Sequence, residues 1–486
     1  MTEAALSILL WFVWICIAMF TTAVDTPTQA VSLGQICYLL MGTCIFCVWT
    51  ARKLPGGYSS VYFIMLMSLV AFNAAQAFII PFSDTDATTN SVDTKFLLTR
   101  QFSDDVIVAT FSIVGCYLAS IQAAALVQFL VRSAPLQTRV GPPIAVKSDE
   151  AIAGVALALF TVSAPVGLSQ LWTSLNVVLS KGYFGLYDPE ALQYQSLAGV
   201  LVSFAIPAAF YVLAMYRSWF RWLAFAYISM YGVAMLAMGF RAWGMFTLIA
   251  LAWTYHRAIS SLSQRAVLVA ATFVIGLLPI IGATRTTAFS DLSFQQVTEA
   301  YQEIGSPLIA LFSETGGSAG TVAWTFTLVP SERPFGYGSS ILNSASAVVP
   351  NLTGGTHLAA ESSLSSWLAW RTNPQAAAVG GGIGFSAFAE VYFNFGLLFG
   401  VLVTFAMGWL LASISSKLER DSVPVVMIGV GGVLLSFLPM FARADSSMLF
   451  RPLVWFILIP LLIRALMPIS RAGDARPTAQ TRRSSL

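Results

Sequence analysis

The sequence predicts an all-α integral membrane protein with about twelve membrane-spanning helices, and three observations support this fold class. Of the 486 residues, 57% are hydrophobic and only 10% are charged, whereas a soluble chain has about 25% charged residues. Repeated apolar runs reach the length of about 20 residues that a helix needs to cross a hydrocarbon core about 30 Å thick. A polar segment, 283–384, is far longer than an ordinary connection between helices.

The predicted spans follow the apolar runs in chain order, beginning with 5–24. This first run lacks the basic residues that precede the apolar core of a signal peptide, and it is long enough to span a bilayer. We therefore expect a first span rather than a cleaved leader. The other predicted spans are 30–51, 59–81, 105–131, 151–174, 195–216, 222–240, 242–256, 266–282, 385–413, 422–441 and 448–468.

These runs divide the chain into four parts. Spans one to nine lie within 1–282, a large external loop occupies 283–384, and spans ten to twelve lie within 385–468. The last part, 469–486, is polar and basic, and we expect a disordered cytoplasmic tail. Amphipathic helices are expected in the loop, because apolar residues recur there at helical spacing. These residues are Phe294, Val297, Tyr301, Ile304 and Leu308.

The distribution of Lys and Arg predicts the orientation in the membrane. If both termini are cytoplasmic, sixteen basic residues fall on the cytoplasmic side and nine on the external side. Positive charges accumulate on cytoplasmic loops, so this orientation is favoured. The segment 283–384 is then external.

Composition argues against several kinds of site. The net charge of +3 is small and dispersed, so a nucleic-acid partner is not expected. The acidic loop residues are expected to be solvated rather than to bind a metal ion, and no cofactor is expected; they are Asp84, Asp86, Asp104 and Asp105. All the cysteines lie in apolar runs, which argues against a disulfide framework or a zinc site; they are Cys16, Cys37, Cys44, Cys47 and Cys116.

A carboxylate stands inside the tenth predicted span, in the stretch GFSAFAEVYFNFG. Ser386, Glu390 and Asn394 are four residues apart and share one face of a helix, so this polar stripe should face protein or a wet cavity. On insertion scales, the free-energy cost of an ionised residue at mid-membrane is about 2.5 to 3.5 kcal/mol. Residues of this kind therefore usually have a function. The structural alternative is that Glu390 pairs with an arginine only to join helices.

Four arginines at predicted external helix ends should lie in the same compartment as Glu390: Arg241, Arg285, Arg443 and Arg451. A guanidinium group is always charged and matches phosphate oxygens with a rigid fork of donors. Together these arginines suit a diphosphate held at the membrane surface. The alternative for each one is an interfacial arginine whose charged end extends to the membrane surface.

His357 and Glu361, four residues apart in the large loop, form a second candidate pair. In a helical segment they could act as acid and base. A solvated surface pair is the commoner outcome for residues of this kind.

The second half of the chain, from about 230 to 450, resembles the Wzy oligosaccharide repeat-unit polymerases, best known for bacterial O-antigen. The resemblance rests on GFSAFAEVYFNFGLLFG after a long external loop, on YGSSILNSASAVVPN within that loop, and on MGFRAWG. A spacing noted in some members, an arginine followed eleven positions later by glycine, occurs at Arg371 and Gly382 but is expected by chance as well.

The resemblance implies a GT-C-like membrane glycosyltransferase of the bacterial inner membrane that works at the periplasmic face. The donor would be a glycan chain on undecaprenyl diphosphate, and the acceptor a repeat unit on the same lipid. Membrane lipids would surround the protein, and a chain-length regulator would be a partner by family likeness alone.

The candidate residues fit this chemistry. Loss of the diphosphate needs charge neutralisation by preorganised cations, for which the four arginines are candidates. Attack by the acceptor hydroxyl needs a base, for which Glu390 is the first candidate and His357 the second. Asn394 and Tyr392 are expected to help bind substrate, and a single displacement predicts inversion at the anomeric carbon.

Two other functions remain open at this point. An O-antigen ligase would transfer the chain to lipid A core by the same chemistry. A flippase or transporter also has about twelve spans, but such proteins commonly show repeated halves with a site near the midplane.

Overall fold

The computed structural model describes residues 2–82, 97–132, 147–187, 197–263, 306–350, 357–378, 381–420 and 423–466, with single positions between 264 and 305. Within these ranges every regular element is helical, and no strand occurs there. The all-α prediction is therefore confirmed for the described part of the chain.

The first part of the chain supplies long helices. They are α1 Thr2–Ala23, α2 Leu33–Ala51, α3 Val61–Asn73, α4 Asp104–Arg132, α5 Lys147–Lys181, α6 Leu197–Met215, α7 Trp219–Ala237 and α8 Arg241–Ala258.

The predicted loop contains short helices, and long ones follow it. The short ones are α9 Pro307–Thr315, α10 Ala319–Leu328, α11 Ser339–Ala345, α12 Leu358–Glu361, α13 Leu364–Thr372 and α14 Pro374–Ala378. The described part of the chain ends with α15 Ala387–Leu418, α16 Val425–Phe437, the 3-10 turn Leu438–Arg443, α17 Ser447–Leu453, the π turn Val454–Leu458 and α18 Ile459–Leu466.

Nine helical stretches in the described part are long and apolar enough to cross a membrane, against twelve predicted. A tenth is present if α3 and the following Ala75–Phe82, which meet at a 69° bend, form one broken span. Helix α8 forms where a span is predicted at 242–256, but it is not among the nine. The prediction at 266–282 lies largely outside the described residues, as do Asp84, Asp86, Arg285 and the tail 469–486.

Helix α4 lies at the centre of a group of packed helices. Its span is 94% buried, and it packs against α1, α2, α10 and α15. A second group is formed by α5, α6, α7, α8 and α16, and α16 contacts α3 and α15 of the first group. In an apolar solvent, polar side chains within such a bundle must satisfy one another. Accordingly, the Tyr62 hydroxyl donates to Gln122 at 2.6 Å, and the Gln122 amide donates to Thr50 at 2.6 Å.

Contacts between helix termini define two ends of the bundle. Arg241 at the start of α8 pairs with Glu314 of α9, so the segment 306–378 lies at the end where α8 begins. We call this the loop end. At the opposite end, Arg257 near the end of α8 donates to the carbonyl of Leu418 at 3.0 Å. Helices α8 and α15 therefore end at the same side of the bundle.

Candidate functional site

Helix α15 begins at the loop end and places a polar stripe inside the protein. The Ser386 hydroxyl caps this helix by accepting from the Ala389 amide at 3.2 Å, and Thr321 of α10 donates to the same hydroxyl at 3.1 Å. The stripe residues Ser386, Glu390 and Asn394 are exposed by 0%, 1% and 0%. As the helical spacing predicts, this face is covered by protein.

Glu390 lies at the junction of three chain segments. Its Oε1 accepts from the hydroxyls of Ser340 at 2.7 Å and Ser446 at 2.8 Å, and its Oε2 accepts from the Ser446 amide at 2.7 Å. Three of the roughly four acceptor positions of a carboxylate are thus filled, all by uncharged donors. Within the described part of the chain no guanidinium group forms an ion pair with Glu390.

Asn394, one turn further along, ties the same segments together. Its amide donates to the Ser340 hydroxyl at 2.7 Å and to the Glu390 carbonyl at 2.9 Å, and its side-chain oxygen accepts from the Gly338 amide at 2.9 Å. Every contact goes to protein, so in this structure Asn394 positions the 338–340 turn beside Glu390.

Helix α15 is broken just below this site. Gly396 has φ 59° and ψ −163°, a combination that is essentially restricted to glycine. The break leaves helical carbonyls without their usual partners. The amides of Gly336 and Tyr337 donate to the carbonyls of Phe393 and Asn394, each at 2.9 Å. The loop segment 336–338 therefore replaces the missing helical turn.

A second buried carboxylate, Asp445, stands next to Ser446. Its Oδ2 accepts from the hydroxyl of Ser363, from the amide of Leu364, and from both the amide and the hydroxyl of Ser365, at 3.1 to 3.3 Å. Its Oδ1 accepts from Ser447. Since Asp445 fixes the start of α13 and Ser446 holds Glu390, this turn joins the large loop to the polar stripe.

The predicted phosphate-binding arginines do not meet at Glu390 in this structure. Arg241 forms a two-pronged ion pair with Glu314 and also donates to the Leu278 carbonyl at 3.3 Å. This guanidinium is already neutralised by a carboxylate. Arg285 lies outside the described residues.

Arg443 and Arg451 are both at the loop end. The exposed Arg443 stacks over the ring of Phe72, with its Cζ 5.3 Å from the ring centre. Arg451 donates to the Ala347 carbonyl at 2.8 Å and lies 5.5 Å over Trp455. Each guanidinium group therefore makes a cation–π contact with an aromatic ring.

Arg333 is a cation that the sequence does not single out. Its guanidinium carbon lies 4.9 Å from the centre of the Trp367 ring and 4.8 Å from that of Phe393, whose neighbour is Asn394. Within the described residues its side chain makes no hydrogen bond and no ion pair, and burial lowers the pKa of its guanidinium. Its donors are therefore available to an anion beside the polar stripe.

His357 and Tyr392 have local partners. Nδ1 of His357 accepts from the Ala359 amide at 3.1 Å, which caps α12, and Nε2 lies 3.0 Å from the Val349 carbonyl. Tyr392 packs edge-on against Phe326 and Phe335. In this structure His357 acts as a helix cap, and its hydrogen bonds within the described residues go to Ala359 and Val349 rather than to Glu390.

An apolar cleft of about 360 Å³ opens at the break in α15. Its walls come from α1, from the loop residue Phe335 and from the broken turn; the lining residues are Met19, Thr22, Phe335, Phe395, Gly396, Leu397, Leu398 and Phe399. Phe399 is 69% exposed, so the cleft is open to the surroundings of the bundle.

A comparison with protein families gives a match over nearly the whole chain. The family described as O-antigen polysaccharide polymerase Wzy matches residues 5–470. The resemblance that the second half of the sequence shows thus extends through the first half as well. Searches among curated proteins and among solved structures found no match.

Proposed function

Because the chain belongs to the O-antigen polysaccharide polymerase Wzy family, we propose that it polymerises lipid-linked O-antigen repeat units at the periplasmic face of the inner membrane. Family membership supports polymerisation of O-antigen repeat units by a multi-pass membrane protein. The carrier proposed here is undecaprenyl diphosphate, which serves both the growing donor chain and the incoming acceptor unit. Both bind at the loop end of the bundle.

The observation that supports this site best is the environment of Glu390. A carboxylate that is 1% exposed and held by three uncharged donors is positioned with little freedom. Its Oε2 accepts only one of these hydrogen bonds, so this oxygen retains a lone pair for a further proton. An acceptor hydroxyl that reaches Oε2 can lose its proton there.

The proposed reaction is a single displacement. The acceptor hydroxyl loses its proton to Glu390 and attacks the anomeric carbon of the donor sugar, while the bond from that carbon to the diphosphate oxygen breaks. A new glycosidic bond forms with inversion, and undecaprenyl diphosphate leaves with the electron pair. His357 is the second candidate for the base, and its role as a cap of α12 makes it the weaker one.

Cations are required where negative charge develops on the leaving diphosphate. Arg333 supplies a guanidinium with open donors, and Arg443 lies at the same end of the bundle. Arg241 would serve only after exchanging Glu314 for a phosphate group, which makes Glu314 a stand-in for the ligand. Arg285 and Arg451 complete the proposed set of diphosphate-binding arginines. Asn394 and Tyr392 are proposed to line the substrate site.

The isoprenoid chain needs an apolar path beside this site. The cleft at the α15 break lies one to two turns from Glu390 along the helix and is lined chiefly by apolar side chains. We assign it to the first isoprene units of the carrier lipid. A chain-length regulator and the surrounding lipids are the other proposed partners.

Reconstitution tests the proposed function directly. Purified protein in liposomes, given undecaprenyl-diphosphate-linked repeat units and no nucleotide sugar, should lengthen them into a ladder of polymers. Transfer of one chain to lipid A core without polymer growth would indicate a ligase. Passage of the lipid across the bilayer without new glycosidic bonds would indicate a flippase.

A further inference from the structure

We propose that the end of the bundle opposite the large loop contains a binding site for the phosphate group of a membrane lipid. The site is a cavity of about 360 Å³ between the ends of α6 and α8 and the starts of α7 and α16. It is separate from the polar stripe of α15. Its lining residues are Ala214, Met215, Arg217, Arg221, Arg257, Ala258, Val423, Val425 and Ile428.

Three arginines line this one cavity. Arg257 donates to the carbonyls of Leu418 and Arg420, at 3.0 and 2.9 Å, and its Nη1 lies 3.8 Å from Glu419. Its Nε is buried without a hydrogen-bond partner. Among the described residues here, one carboxylate, that of Glu419, lies against three guanidinium groups, so positive charge is in excess in this part of the site.

The other two arginines have even fewer partners. Arg221 makes a single long contact to the Ala214 carbonyl at 3.5 Å, and its Nε is also buried without a partner. Arg217 is exposed and, within the described part of the chain, makes no side-chain hydrogen bond or ion pair. Unsatisfied donors on positively charged groups favour an acceptor that carries negative charge.

Helix dipoles add to this positive potential. Helix α7 begins at Trp219 and α16 at Val425, beside the cavity, and neither Ser218 nor Pro424 caps its helix with a side chain. Helix starts carry partial positive charge, and a cation in the first turn, as Arg221 is in α7, raises it further. Two such starts facing three arginines form an arrangement that suits a phosphate group.

The rest of the lining indicates that the phosphate belongs to a lipid. Met215, Val423, Val425 and Ile428 place apolar surface directly beside the guanidinium groups. Helices α6, α7 and α16, which are long and apolar enough to cross a membrane, have termini at this cavity, so we place it at the depth of lipid headgroups. Basic pockets between spanning helices commonly hold anionic headgroups. An amphiphile fits both kinds of wall, whereas a free phosphate ion would leave the apolar wall exposed to water.

The test compares lipid binding by the purified full-length protein and two single variants. Native mass spectrometry in detergent would measure binding of dioleoylphosphatidylglycerol, with dioleoylglycerol as the phosphate-free control lipid. Arg217→Ala should weaken phosphatidylglycerol binding about tenfold, since it removes one charge-assisted contact. Arg52→Ala, an exposed arginine at the same end that does not line the cavity, should leave binding unchanged.

Further arms separate the possible results. Arg217→Lys should recover part of the affinity, and equal thermal unfolding of all variants would show that they fold. The proposal is overturned if Arg217→Ala binds phosphatidylglycerol as the parent protein does, or if dioleoylglycerol binds equally well. If inorganic phosphate stabilises the protein through Arg217 while phosphatidylglycerol does not bind, the site takes a free anion and the lipid assignment is wrong.

Discussion

Ser446 holds both carboxylate oxygens of Glu390, donating its amide to Oε2 at 2.7 Å and its hydroxyl to Oε1 at 2.8 Å. One residue from the 445–447 turn thereby fixes the orientation of an acid that lies 56 residues earlier in the chain. Because the neighbouring Asp445 is anchored to the start of α13, the orientation of Glu390 also depends on the large loop.

Glu390→Gln tests the role of this acid in proton transfer. The amide keeps the size of the side chain and one acceptor oxygen but cannot take up a proton as a carboxylate does. A general base typically contributes about 100-fold to 10,000-fold to rate, so we expect kcat for polymerisation to fall at least about 100-fold, with KM little changed. Reconstituted polymerisation with lipid-linked repeats would measure both constants.

Glu361→Gln, at an exposed acid on α12, is the matched control and should polymerise normally. Full rate and full polymer length from a properly inserted Glu390→Gln variant would refute the assignment of Glu390 as base.

Arg333 and Arg371 form a natural comparison. Arg371 is half exposed and paired with Glu332, an exposed pair of the kind that contributes about 0 to 1 kcal/mol. Arg333 lies over two aromatic rings, and within the described residues its side chain has no hydrogen-bond partner. We expect Arg333→Ala to raise KM for the lipid-linked donor about tenfold or more, and Arg371→Ala to change it by less than about threefold.

Equal KM values for these two variants, measured with the same donor lipid, would remove Arg333 from the binding site. Arg333→Lys should be intermediate, because an ammonium group keeps the charge but loses the planar fork.

Variants of Arg241 and Glu314 test whether this ion pair only joins two helices or whether Arg241 also binds the donor lipid. If Arg241 exchanges Glu314 for diphosphate, Arg241→Ala should weaken donor binding about tenfold, while Glu314→Gln should leave it equal or tighter by freeing the guanidinium. Donor-lipid affinity of the single and double variants forms the required cycle. Equal losses from both single variants, with no further loss in the double variant, would mean that the pair only joins α8 to α9.

Gly396→Ala should destabilise the fold. Its backbone conformation is essentially restricted to glycine, and an added Cβ would lie 3.2 Å from the ring of Phe335. Strain of this kind costs about 1 to 3 kcal/mol, which thermal unfolding in detergent would detect. Gly42→Ala within α2, where nothing lies within 4 Å of the new Cβ, should be neutral or slightly stabilising. Unchanged stability of Gly396→Ala would mean that the break in α15 is not required.

The spans could be predicted because a bilayer imposes length and apolarity on each helix separately. The prediction 5–24 corresponds to Thr2–Ala23, and 105–131 corresponds to Asp104–Val131. The bend after Asn73 could not be predicted in this way. Hydropathy is averaged over a window of residues and carries no information on changes in the direction of the helix axis. The count of twelve and the orientation stay predictions.

The polar stripe of α15 could be predicted from helical spacing, but its partners could not. Ser340 and Ser446 reach Glu390 from other elements, and a serine in a polar loop has no periodic signal. The arginines show the same limit. Charge and position predicted Arg241 as a phosphate-binding residue, but in the fold it pairs with Glu314. Arg333, which the sequence did not single out, lies over Phe393 with its donors unoccupied by the described residues.

At the α15 break, hydrogen bonds from the 336–338 segment stand in for those of a helical turn. This arrangement constrains how a sugar chain can enter the site that we propose. Moving the 336–338 segment aside would remove the partners of two backbone carbonyls, those of Phe393 and Asn394, which belong to residues that are 1% and 0% exposed. A glycan is rich in hydroxyl donors, so an incoming saccharide can take over those two acceptors while an ordinary lipid cannot. The segment that satisfies these carbonyls also donates to Asn394 through Gly338, so its position is coupled to the residue beside Glu390.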